Sequence, residues 1–186
     1  MIETLRDFVE KANSLGLEFM VTGSFAMSAF GEIRMTRDID IVIQIEESKA
    51  EQFVRLFENE YYVSEEGVRS AIARRSMFNV ISLAHGGKID CIVTKNSEFA
   101  RASFDRRWRA VVSGIEFWVI AKEDLIISKL NWARDSRSEM QIRDIANLTD
   151  TEYDSAYVAD WVDRLRLKEI WNEVDQWKTR RAKTEE

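Results

Sequence analysis

A mixed α/β fold, in the α+β sense of a β-sheet flanked by helices and followed by a helical packet, is predicted from three observations. Helical and strand periodicities alternate over the first two thirds of the chain. The β-branched run Asp38-Ile39-Asp40-Ile41-Val42-Ile43-Gln44 has the character of a central strand. Beyond Ala121 only helical spacing remains. The 186 residues suit one compact unit, with residues 1–120 as a core and 121–186 as a docked helical region.

Leu5, Phe8, Val9 and Ala12 place one apolar face on a helix over Thr4 to Ser14, which Gly16 ends. Leu17 to Thr22 reads as a short buried strand, and Gly23-Ser24 as a tight turn into a helix that stops near Gly31. The strand Asp38 to Gln44 follows, and Ile41-Val42-Ile43 predicts burial on both faces. Ser48 and Glu51 form a capping-box pattern for a helix over Lys49 to Glu58. Met77 to Ala84 and Lys88 to Thr94 predict a hairpin around His85-Gly86-Gly87, and Trp108 to Val112 with Glu116 to Ile120 a second around Ser113-Gly114. Helices are predicted over Glu123 to Arg134, Glu139 to Leu148, Asp154 to Leu165 and Lys168 to Trp177, anchored by Trp132, Trp161, Trp171 and Trp177. Thr179 to Glu186 is charged without an apolar face, so a frayed tail is expected.

Composition narrows the function classes. Lysine and arginine total 27 against 33 acids, a net charge of -6, which argues against a nucleic-acid coat that works by neutralising phosphates. The single cysteine, Cys91, excludes an intrachain disulfide and a Cys-based zinc site, and suits a reducing cytoplasm. No apolar run is long enough for a membrane helix, and the first residues are not a signal-peptide core, so a soluble cytoplasmic protein without a membrane partner is expected.

Chemistry concentrates between Val21 and Ile43. Side chains at i and i+2 of a strand share a face, so Asp38 and Asp40 present paired carboxylates while Ile39 and Ile41 enter the opposite face. Like charges this close are tolerated when a divalent cation neutralises them, and hard oxygen ligands suit Mg²⁺ or Mn²⁺. Gly23 permits close backbone approach, and the helix start with the Ser24 hydroxyl suits phosphate. Asp90, on the strand after Gly86-Gly87, is placed to join the pair, with an ion pair to Lys88 as its ordinary alternative. Arg34 and Arg37 flank the approach. Arg69, Arg74, Arg75, Arg101, Arg106, Arg107 and Arg109 with Trp108 suggest either a basic aromatic lip for RNA or a solvated surface. His85 and Cys91 lack triad partners.

Gly23-Ser24, then Asp38-Ile39-Asp40, then Asp90 within Lys88-Ile89-Asp90-Cys91-Ile92-Val93 resembles the signature of the polymerase-β-like nucleotidyltransferase superfamily. Val21-Thr22-Gly23-Ser24-Phe25-Ala26 and Thr36-Arg37-Asp38-Ile39-Asp40-Ile41 look most like its small bacterial branch, with abortive-infection toxins and minimal aminoglycoside-type nucleotidyltransferases. The resemblance covers Val21 to Leu148 and is densest from Gly23 to Asp40. It implies a metal-dependent transfer of a nucleoside monophosphate from NTP, ATP among them, to a hydroxyl, with pyrophosphate released. Asp38, Asp40 and Asp90 are then the catalytic and metal-binding residues, and Gly23, Ser24, Arg37 and Lys129 the nucleotide contacts, with Asp144 a further candidate. The acceptor stays open between tRNA or another RNA, a protein hydroxyl and an aminoglycoside-like small molecule. A toxin-antitoxin or phage-defence role with a cognate antitoxin is also implied. The alternative is a binding module of this fold that acts through a protein partner.

Overall fold

A computed structural model describes residues 1–32, 35–84 and 86–184; Arg34 and His85 fall outside them. The chain divides into two compact units, Met1–Ile120 and Ala121–Glu186.

The first unit is built on a mixed sheet of seven strands among the described residues: β1 (Glu18–Thr22), β2 (Asp38–Gln44), β3 (Tyr61–Tyr62), β4 (Met77–Ser82), β5 (Lys88–Val93), β6 (Trp108–Val112) and β7 (Ile115–Val119). They lie in the order β3-β4-β5-β2-β1-β7-β6. β2 runs antiparallel to β1 and parallel to β5, which makes it the centre of the sheet. Ile39, Ile41 and Ile43 are fully buried, whereas Asp38, Asp40 and Val42 are half-buried on the other face. The two-sided burial predicted from the isoleucine-rich run therefore holds for one face only, because alternation gives the acids the second face.

Three helices cover the apolar face: α1 (Ile2–Ser14), α3 (Ala50–Phe57) and, less fully, α4 (Glu65–Arg74). Their contribution is aromatic. Phe8 of α1 meets Phe19 of β1 edge to face at 5.7 Å, and Phe53 stacks on Phe57 at 4.7 Å while its edge meets Phe78 of β4 at 5.4 Å. Pairs of this kind stabilise by about 0.5–1.5 kcal/mol beyond their buried area, so helices and sheet are tied at several points.

The short α2 (Gly23–Ala26) continues as a 3₁₀ turn over Met27–Phe30, and Gly31 ends it at φ 83°. The expected capping box does not form. Ser48 lies inside a 3₁₀ turn over Glu47–Lys49, its hydroxyl faces Glu46, and Lys49 occupies the cap of α3. Two further helices, α4 and α5 (Glu98–Asp105), start instead on true serine caps, Ser64 accepting from Gly67 N–H and Ser97 from Ala100 N–H.

The second unit consists of α6 (Lys122–Ser136), α7 (Glu139–Leu148), α8 (Ser155–Arg164) and α9 (Lys168–Thr184). Trp161 is buried as expected, but Trp132 is 64% exposed and anchors nothing. The tail expected to fray from Thr179 is helical to Thr184, since Lys178 and Arg181 pair with Asp150 and Arg181 also lies over the Trp177 ring. The interior of this unit holds polar groups. Tyr157 donates to the fully buried Asp124 at 2.7 Å, and the Lys129 ammonium donates to Asp144 at 2.9 Å and to Gln141 at 3.2 Å.

Lys129 and Asp144 are 4% and 2% exposed, so removing one takes a charge-assisted contact from a buried ionic group. Lys129→Met is expected to destabilise the helical unit by about 3–5 kcal/mol, and Lys129→Met with Asp144→Leu to recover most of that loss. Chemical denaturation of the three proteins measures both; equal stability of Lys129→Met and wild type would refute the pairing.

Candidate functional site

The antiparallel register of β1 and β2 explains the spacing of the acidic motif. β1 ends at Thr22, the chain turns through α2 and a connecting segment, and β2 returns so that Asp40 sits opposite Thr22. Gly23, one residue further, therefore lies beneath the Asp40 carboxylate. A Cβ on Gly23 would stand 1.9 Å from Asp40 Oδ2, and the residue has φ +65°, which L side chains adopt only with strain. Glycine is thus required here twice over, by backbone conformation and by the acid it accommodates.

The parallel pairing of β2 with β5 brings in the third acid. Asp40 pairs with Asp90 and Asp38 with Lys88, so three carboxylates and one ammonium occupy adjacent positions on one face of two central strands. Asp90 is 7% exposed. Its Oδ1 accepts from Asn79 Nδ2, on β4 at the register position opposite, and its Oδ2 is 2.9 Å from Lys88 Nζ. Asp38 is held in a matching way. Thr36 Oγ1 donates to its Oδ1 at 3.2 Å and to its backbone carbonyl at 3.1 Å, while its Oδ2 is 3.2 Å from Lys88 Nζ. Each of these acids has one oxygen fixed by a neutral donor and the other turned to the shared ammonium. The hydrogen bond to Asp90, reinforced by Asp38, holds the Lys88 pKa above the usual lysine value against the opposing effect of desolvation.

Of the residues picked out in the sequence, Gly23, Asp38, Asp40 and Asp90 are brought together, with Ser24 adjoining Gly23 at the start of α2. Arg37 is exposed and directly precedes β2. Lys129 and Asp144 lie within the helical unit, engaged with each other. Asn79 and the bridging position of Lys88 escape sequence reading, because both depend on which strands pair and in what register. Cys91 is fully buried on the opposite face, and burial pushes its thiol pKa up, so it is no nucleophile.

Three of the seven arginines suggested for an RNA lip are held by carboxylates. Arg69 pairs with Glu47 and Glu65, Arg107 with Glu18 and Arg109 with Glu116. Arg107 is also sandwiched by the rings of Phe104 and Trp118, 4.0 and 5.0 Å away, and Arg109 lies 4.5 Å over Trp118. Trp118 is therefore spent on packing two cations.

Among the described residues no three His, Cys, Asp or Glu side chains are gathered closely enough to hold a metal ion as they stand. Two observations nonetheless fit the site to a hard divalent cation. The donors are carboxylate oxygens, and the Oδ2 atoms of Asp38 and Asp90 already converge on a cation, the Lys88 ammonium.

Comparison with known proteins bears on this geometry. Residues 2–160 match the family model described as Nucleotidyltransferase of unknown function (DUF6036). No curated protein matches the chain. Among solved structures, the fold is similar to that of ANT(2″)-Ia in complex with adenylyl-2″-tobramycin, with TM-score 0.65 and 13% identity over 90% of this chain and 97% of that one. An antigenic nucleotidyltransferase-like protein from Paracoccidioides brasiliensis gives TM-score 0.58 and 16% identity over 92% and 91%. The lincosamide antibiotic adenylyltransferase LnuA, lincomycin-bound, gives 0.55 and 14% over 80% and 96%.

The position of Gly23 is testable against a glycine of similar conformation. Gly16 has φ +59° with nothing within 4 Å of a Cβ, so Gly16→Ala should cost only the backbone term, about 1–2 kcal/mol. Gly23→Ala should cost about 2–4 kcal/mol, because displacement of Asp40 adds to that term. Equal losses in urea denaturation would show that Asp40 does not press on Gly23.

Proposed function

The chain belongs to the nucleotidyltransferase family DUF6036, and from that premise we propose a divalent-cation-dependent, cytoplasmic nucleotidyltransferase that moves the nucleoside monophosphate of an NTP to a hydroxyl on a small cationic acceptor. The observation that carries this reading is the in-register placement of Asp38, Asp40 and Asp90 on β2 and β5 beside Gly23.

In this reading Asp38 and Asp40 hold Mg²⁺ or Mn²⁺ with Asp90 as the third ligand, and the bound cation supplies neutralisation of the charge that develops on the phosphates. Gly23 and Ser24 at the start of α2 receive the triphosphate, and the exposed Arg37 draws it in electrostatically. The acceptor oxygen attacks the α-phosphorus, the bond to the β-phosphate breaks, and pyrophosphate leaves. Asp90, oriented by Asn79, takes the hydroxyl proton. Alignment of these groups and charge neutralisation do most of the catalytic work.

The acceptor class follows from charge. A net charge of -6 steers cations toward the molecule, and three of the seven arginines suited to RNA, Arg69, Arg107 and Arg109, are paired with carboxylates. The described structures of ANT(2″)-Ia and LnuA with antibiotic-derived molecules support a small acceptor on this fold. A role as the enzymatic half of a toxin-antitoxin pair rests on the sequence resemblance alone.

Asp40→Asn is expected to keep the fold and to lower transfer of α-labelled NTP by at least about a hundredfold. Calorimetry should show NTP binding that needs Mg²⁺ and is lost in Asp38→Ala/Asp40→Ala. A folded Asp40→Asn protein of unchanged activity would falsify the assignment. A nucleotide-independent protein complex, undisturbed by the double substitution in a protein that binds no NTP, would favour the binding-module alternative.

A further inference from the structure

The acids of the site already hold a cation that belongs to the chain. Lys88 opens β5, two residues before Asp90 and opposite Asp38, so both acids and the lysine project from one face. Its ammonium lies 3.2 Å from Asp38 Oδ2 and 2.9 Å from Asp90 Oδ2. Thr36 and Asn79 occupy the other oxygen of each acid, so the two Oδ2 atoms are the ones turned to a cation.

We propose that Lys88 is the resident counter-cation of this cluster, and that a divalent cation entering the site must displace its ammonium from Asp38 and Asp90. This rests on the reading of those acids as metal ligands. The exchange has a steric and an electrostatic basis. Mg²⁺ or Mn²⁺ draws carboxylate oxygens to about 2.0–2.2 Å, shorter than the contacts Lys88 makes, and a positive charge held on the same oxygens opposes its entry. Lysine suits the part. It is a point charge on a flexible stem, and its side chain is 37% exposed, so solvent is open to it once released; the rigid fork of an arginine would clamp both acids. Without metal, Lys88 relieves the repulsion among Asp38, Asp40 and Asp90; with metal, that task passes to the ion. The site is thereby kept closed to weakly bound cations yet stays folded when empty of them.

Mn²⁺ binding to the full chain without nucleotide, followed by electron paramagnetic resonance, tests this with wild type, Lys88→Met, Lys88→Gln, Lys88→Arg and Asp38→Ala. The two neutral variants should bind Mn²⁺ about tenfold more tightly than wild type, a modest value for losing one like charge at a half-exposed site. Lys88→Arg should match wild type within about twofold or bind more weakly. Lys88→Met should also melt at a lower temperature than wild type in metal-free buffer and gain more on Mn²⁺ addition. Should Lys88→Met prove too unstable to prepare, Lys88→Gln retains a hydrogen bond to the acids and carries the same expectation. Neutral variants that bind Mn²⁺ equally or more weakly, while Asp38→Ala loses it, would overturn the counter-cation role alone. Absence of Mn²⁺ binding in every protein would overturn the metal reading, and this proposal with it.

Discussion

Repulsion among three carboxylates set side by side on β2 and β5 is the constraint that organises the first unit. Two parallel strands place Asp40 against Asp90 and Asp38 against Lys88, and a cluster of that charge density persists only where something positive or hydrogen-bonding answers each acid. The surroundings supply those answers one by one. Thr36 addresses Asp38, Asn79 addresses Asp90, Lys88 bridges the two, and the absence of a side chain at Gly23 leaves Asp40 its place. The apolar side of the same strands makes the arrangement affordable. Ile39, Ile41, Ile89 and Cys91 are fully buried, so the strands that carry the acids are among the best anchored in the sheet.

Rigid strands and a short helical turn thus divide the work. The strands fix the acids, and α2, only one turn long before it tightens to 3₁₀ geometry, brings backbone to the edge of the cluster. The chain belongs to a nucleotidyltransferase family, and its fold is similar to those of ANT(2″)-Ia and LnuA. Arg69, Arg107 and Arg109 are engaged by acids and Trp118 by arginines, whereas Trp108, the aromatic of the suggested RNA lip, is 41% exposed.

Much of this was legible in the sequence, and the parts that were not share a cause. The strand Asp38–Gln44 could be bounded to the residue because β-branched residues and alternating acids leave no other periodicity. The hairpins followed from their glycines, with Ser113 and Gly114 at φ 51° and 75° in the second turn. α4 and α5, ten and eight residues long, went unread; α4 buries only Val68 and Ala71, and α5 is a short helix whose serine cap, Ser97, was not picked out. Ser48 misled because a 3₁₀ turn already occupies the position a capping box would take. The last turns of α9 depend on Asp150, a residue far away in sequence. Within the site the split is the same. Gly23, Asp38 and Asp40 are visible as a local pattern, and the Lys88–Asp90 pair follows from their i, i+2 spacing on one strand, whereas Asn79 meets Asp90 and Lys88 reaches Asp38 only once β4, β5 and β2 are paired in register.

The central claim, that these three acids gather a divalent cation beside a nucleotide, is tested most directly by crystals grown with Mn²⁺ and a non-hydrolysable NTP. The account predicts an anomalous manganese peak bounded by Asp38 and Asp40, with Asp90 adjoining and the triphosphate at the start of α2. A nucleotide bound elsewhere, or manganese absent from these carboxylates while the triphosphate is ordered, would contradict it.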